Sequence, residues 1–195
     1  MLRPYGRAVG FDLTGIGPAF ARAHGHDVAQ ASIAQIPFAT GAFDLVTAFD
    51  VFQCLPDPVE RDAIAAMSRV LTPGGWLLLH VAALEILHGR HSVLSEEVRR
   101  YTPSRLRMVV ERGGFRIDRL TFDHASLLPI ILPVRLWHRL AAGGGAVAAG
   151  EGEITVPVAP INAALTALVS LEALALRAVN MPIGSSLMCL ARKPG

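Results

Sequence analysis

Lysine is almost missing from this chain: Lys193 stands alone, and every other basic residue is Arg. Charge of either sign is scarce, at 17% of residues against the usual quarter or so. The formal net charge is +2 and like charges never run beyond two residues, so no basic arm or acidic tail exists and nucleic acid is not an expected partner. Cysteine is equally sparse. Cys54 and Cys189 cannot build a disulfide scaffold and show no metal-ligand spacing. They read as small core residues in a reducing compartment, and no metal is expected. No window reaches the roughly 18 apolar residues of a spanning helix without Pro or charge, and the N-terminus lacks a secretory apolar stretch. The expected location is therefore cytoplasmic.

What the chain has instead is apolar content, with a mean hydropathy of +0.43. Its 195 residues suit one domain with a sizeable core. Ala8–Leu13 reads as a short buried strand ending near Asp12, followed by the turn Thr14-Gly15-Ile16-Gly17 and a helix over Pro18–His24. Asp27–Ser32 and Phe43–Phe49 are the next strands. Asp57-Pro58-Val59-Glu60 starts a helix, with Asp as N-cap, Pro at the first position and Glu at the third. Val59, Ala63, Met67 and Val70 continue it at helical spacing. Pro73-Gly74-Gly75 stops it, and Trp76–Val81 is an unalternating apolar strand of the kind found in parallel sheets. Thr102-Pro103 opens another helix, closed by Gly113-Gly114. Phe115–Phe122 and Ser186–Ala191 complete the strands. Alternating strands and helices predict an α/β fold.

Four local patterns occur in order: Val9-Gly10-Phe11-Asp12-Leu13; Ile36-Pro37-Phe38 with Gly41-Ala42-Phe43-Asp44-Leu45-Val46; Arg69-Val70-Leu71-Thr72-Pro73-Gly74-Gly75-Trp76; and Gly113-Gly114-Phe115. Together they resemble the small-molecule (type 11) branch of class I S-adenosylmethionine-dependent methyltransferases. The tail Pro182-Ile183-Gly184-Ser185-Ser186-Leu187 resembles a subgroup with an apolar insertion before its last strand. The resemblance implies an incomplete Rossmann-like sheet with helices on both faces, a single domain over residues 1–195, and an insertion at 124–184.

The resemblance also implies a site. Asp12, at the end of a strand, would accept the ribose hydroxyls of S-adenosylmethionine, with Leu13 beside it. Ser32 and Ile33 match the positions that flank the adenine, and Ala48, Phe49 and Asp50 lie where the methionyl end belongs. Substrate-side positions of the subgroup read Cys54, Ser92 and Glu97 here, while His91, Arg99, Arg100 and Tyr101 are retained. His91 is the candidate base, against a plain surface His; Arg99 and Arg100 would clamp an anionic acceptor, against solvated helix-flanking charges.

The resembled fold begins with a strand and a glycine-rich cofactor loop, and only seven residues precede Ala8. The chain is therefore expected to be an N-terminally truncated or degenerate copy. Its expected activity is methyl transfer to a small-molecule or lipid-like acceptor; the alternative is an inactive binding or interaction module. A nicotinamide oxidoreductase would also use Asp12, but the Phe43-Asp44 and Pro73-Gly74-Gly75 patterns oppose it. The apolar residues from Ile161 to Leu176 suit a core or homodimer helix, or else a lid over a lipid-like substrate with peripheral membrane contact, together with Leu127–Trp137.

Overall fold

A computed structural model describes residues 6–88, 96–133 and 158–195. In chain order the elements are β1 (Gly10–Asp12), α1 (Ile16–Ala23), β2 (Val28–Gln30), β3 (Phe43–Phe49), α2 (Asp57–Val70), β4 (Leu71–Ala82), α3 (Pro103–Arg112), β5 (Arg116–Asp123), α4 (Ala159–Ala175) and β6 (Ser186–Arg192). The predicted strands and helices are all present, with boundaries shifted by a few residues. Among the described residues they form two sheets. One is the parallel pair β1–β2; the other has the order β3-β4-β6-β5, with β6 antiparallel to both neighbours. No hydrogen-bonded strand among the described residues joins β1 to β3.

Alternation along β4 decides which face is core. Leu77, Leu79 and Val81 are fully buried, beside Ala191, Cys189 and Leu187 of β6. Ile64 and Met67 of α2 and Leu106 and Val110 of α3 cover that face. Each such buried aliphatic side chain contributes about 1.5–3 kcal/mol. Where α2 and α3 meet, a Cβ on Gly113 would lie 2.6 Å from Ile64, so the crossing needs glycine there. The other face carries His80 and Ala82 of β4 and leaves Phe49 of β3 half exposed. The Pro73-Gly74-Gly75 turn interrupts pairing without ending the strand. Leu71 pairs with Phe43, the next pair is Leu45 with Trp76, and Gly74 has a φ of 77°.

The start of α2 differs from its prediction. Pro56, not Asp57, is the N-cap, and no side chain caps the helix. Asp57 and Glu60 instead reach across to the segment before α3 and to its first turn. Arg99 and Arg105 both pair with Asp57 at 2.9 Å, and with Glu60 at 3.1 and 3.0 Å. The buried Tyr101 hydroxyl also donates to Glu60. A buried carboxylate needs such partners, since desolvation alone would make it costly. At α3 the predicted start holds: Thr102 Oγ1 accepts from the Arg105 N–H.

Removing Glu60 takes the buried carboxylate away from two guanidinium groups, leaving them Asp57 alone, and from the Tyr101 phenol. Glu60→Ala is expected to lower the urea unfolding free energy by about 3–5 kcal/mol, and Glu60→Gln by less. A loss below about 1 kcal/mol for the alanine variant would contradict a structural role for this hub.

Candidate active site

Non-glycine residues seldom adopt positive φ, because Cβ crowds the backbone. Four described residues do so: Asp50 (55°), Leu84 (59°), Glu96 (54°) and His124 (54°). Asp50, Leu84 and His124 follow the carboxyl ends of β3, β4 and β5 within two residues, so the unusual backbone collects along one edge of the sheet. Beside that edge lies a cavity of about 370 Å³. Asp50, Gln53, Cys54, Glu97, Arg100 and Ser186 supply its polar lining, and Leu87 and Ile131 its apolar part.

Each polar group is held in place. Asp50 Oδ1 accepts from His80 at 3.1 Å and from the Gln53 amide at 3.3 Å. The bond to His80 is the main reason its carboxyl stays below the ordinary carboxylate range. Arg100 pairs with Glu97 at 3.2 Å and donates to the Ala83 carbonyl at 3.0 Å. Cys54 is not nucleophilic at neutral pH: burial, and then the nearby Glu97, Glu96 and Asp50, push its thiol up.

Next to the cavity sits a second polar group. His80 Nε2 is 3.0 Å from Asp123 Oδ2, and His124 Nδ1 is 3.6 Å from the same oxygen. Burial alone would lower His80, but its bonds to Asp123 and Asp50 outweigh that and raise it to about 9. Burial would raise Asp123, and the two histidines bring it down to about 2. Gly184 packs on the backbone here; a Cβ on it would fall 2.1 Å from the Asp123 carbonyl oxygen. Glu172, the buried residue of α4, accepts from the N–H groups of Ala125 and Ser126 at 2.9 and 2.8 Å.

The structure separates the residues that the sequence singled out. Asp12 ends β1 as an exposed carboxylate, and its Oδ1 accepts from the Thr14 N–H and hydroxyl, each at 2.8 Å. Leu13 is exposed; Ser32 and Ile33 follow β2, with Ile33 resting on the core. Ala48 is buried at the end of β3, while Phe49 and Asp50 are exposed. Asp12 and Asp50 thus both sit at carboxyl ends of parallel strands. Of the substrate-side residues, Arg100 lines the cavity, Arg99 is engaged by Asp57 and Glu60, and Tyr101 is fully buried. His91 and Ser92 lie outside the described residues. The sequence reading missed Gln53, His80, Asp123 and His124. A histidine inside the otherwise apolar Trp76–Val81 strand was the one local signal available.

Comparison with known proteins agrees with the fold. Residues 1–79 match the family described as methyltransferase domain. An uncharacterised chloroplastic methyltransferase of Arabidopsis thaliana is 37% identical over 83 residues, covering 40% of this chain. The chain spans 22% of that curated relative's length. Among solved structures, a Haloferax volcanii protein in complex with the Trm112 methyltransferase activator superposes with a TM-score of 0.62 at 16% identity, over 100% of this chain and 76% of its own. Haemonchus contortus phosphoethanolamine N-methyltransferase 2, solved with S-adenosyl-L-methionine, gives 0.55 at 17% identity, over 100% of this chain and 45% of its own. The fold is that of the class I methyltransferases. No helix among the described residues is long and apolar enough to cross a membrane.

The cavity chemistry is open to test through its thiol. Cys54 is expected to react with iodoacetamide with a midpoint above the ordinary thiol range of about 8.5, whereas buried Cys189, pushed up to about 12, stays inert. A midpoint near neutrality in a Cys189→Ser background would contradict the surroundings described for Cys54.

Proposed function

We propose that this chain carries out methyl transfer from S-adenosylmethionine to a small-molecule acceptor held in the cavity beside Asp50. One observation carries the reading. Asp12 ends β1, which runs parallel to β2, and Ala48-Phe49-Asp50 closes β3, which runs parallel to β4; the carboxyl ends of parallel strands are where α/β sheets bind nucleotides. The donor set fits the cofactor. Asp12, fixed at Oδ1 by Thr14, offers an exposed carboxylate to the ribose hydroxyls, Leu13 borders it, and Ser32 and Ile33 border the adenine. Phe49 and Asp50 stand toward the methionyl end.

S-adenosylmethionine supplies a methyl group already activated as a sulfonium. The protein's part is to align the acceptor with it and to exclude water. Arg100 and Glu97 present a paired cation and anion to the acceptor, and Asp50 stays ionised to receive a hydrogen bond from it. Arg99 and Tyr101 hold the wall behind them through Glu60. His91 remains the candidate base. With Asp50 and Glu97 against a single Arg100, the cavity favours a neutral or cationic acceptor over an anionic one. A lipid-like acceptor draws support from α4, whose Ile161, Leu171 and Leu174 are 54%, 64% and 56% exposed.

A second reading, a non-catalytic binding module, is favoured by the gap in pairing between β1 and β3. Calorimetric titration with S-adenosylmethionine and S-adenosylhomocysteine separates the two. Methyl transfer predicts a Kd tighter than about 100 μM, or roughly −5.5 kcal/mol, weakened about tenfold or more by Asp12→Ala. No heat from a chain folded by circular dichroism would favour the binding module.

A further inference from the structure

Three side chains beside the cavity have the composition and spacing of a metal site, and methyl transfer does not use them. His80 of β4, Asp123 at the end of β5 and His124 after it present ligand atoms within 4.8 Å of one another. Ligands about 2.0–2.1 Å from a tetrahedral ion lie about 3.3–3.4 Å apart. The 3.0 Å and 3.6 Å separations at Asp123 Oδ2 bracket that value. Two further observations point to an ion rather than to a chance meeting of side chains. Asp123 is 7% exposed, yet its Oδ1 has no hydrogen-bond partner, a costly state for a buried carboxylate oxygen. In addition, the far nitrogen of His80 faces Asp50 Oδ1 at 3.1 Å, the arrangement that orients a metal-bound imidazole through a second carboxylate.

We propose that His80, Asp123 and His124 bind one divalent transition-metal ion of the zinc class, with Asp50 as the positioning residue behind His80. Two imidazoles and one carboxylate suit such an ion and not calcium or magnesium, which prefer oxygen ligands. Its two charges balance those of Asp50 and Asp123. The ligands come from strands separated by β6, so the ion ties the carboxyl ends of β4 and β5 together. Three protein ligands leave a coordination position for water or an acceptor oxygen. Ser186, which pairs with both Asp123 and Ala82, carries the cavity wall up to this cluster. The proposal does not depend on methyl transfer.

The test is titration of the untagged, chelator-stripped chain with Co²⁺, followed by visible absorption, and then displacement by Zn²⁺. One equivalent is expected to produce the intense bands of a four- or five-coordinate site, and zinc is expected to abolish them. His124 is partly exposed, so His124→Ala should keep the circular dichroism of the parent while weakening cobalt binding about 100-fold or more. Asp50→Asn should weaken it about 10–100-fold. No saturable spectrum from a folded chain would overturn the proposal. So would an unchanged affinity in both His124→Ala and the shape-conserving Asp123→Asn.

Discussion

The structure depends on β4 being satisfied on both edges and on both faces. It pairs parallel with β3 and antiparallel with β6, so its backbone polar groups are taken up by neighbours and not left in a dry interior. Its period of two then sorts the side chains. Leu77, Leu79 and Val81 enter the core, while His80 and Ala82 turn to the opposite face. A slip of one residue would exchange the two sets, burying His80 against α2 and exposing the leucines. The same register that secures the core therefore places the chemistry.

At the carboxyl edge, burial and pairing act together. His80 lies between Asp50 and Asp123, and the energetic cost of placing charge there is offset by direct ion pairs at 3.0–3.1 Å. Glu172 closes the next turn by capping Ala125 and Ser126, which brings α4 back to the end of β5. The Glu60 hub does the equivalent work on the core side, tying α2 to α3 and to the segment before it. The cavity is lined by Asp50, whose side chain is exposed, and by Arg100, whose side chain is buried against Glu97.

Elements with a local signature were legible in the sequence. Phe43–Phe49 has the predicted bounds, and α3 begins at its predicted Thr102 cap because capping is a contact between near neighbours. The start of α2 was misread for the converse reason. Its acids answer to Arg99 and Arg105, about forty residues away, and no local rule contains those partners. Asp12 was visible as an acid closing an apolar run. The His80–Asp123–His124 group was not visible, because two strands and an intervening third bring it together. Asp50 appeared as a cofactor-side residue, but its link to His80 needed the β3–β4 register.

The proposed function requires the carboxyl ends of β1, β2 and β3, which belong to separate hydrogen-bonded sheets, to meet one nucleoside. Hydrogen–deuterium exchange of the purified chain with and without S-adenosylhomocysteine tests it most directly. The account predicts slowed exchange in three segments, Asp12–Thr14, Ser32–Ala34 and Ala48–Asp50, with the core of α3 unchanged. Exchange unaltered in all three segments at saturating ligand, or slowed only in α4, would contradict it.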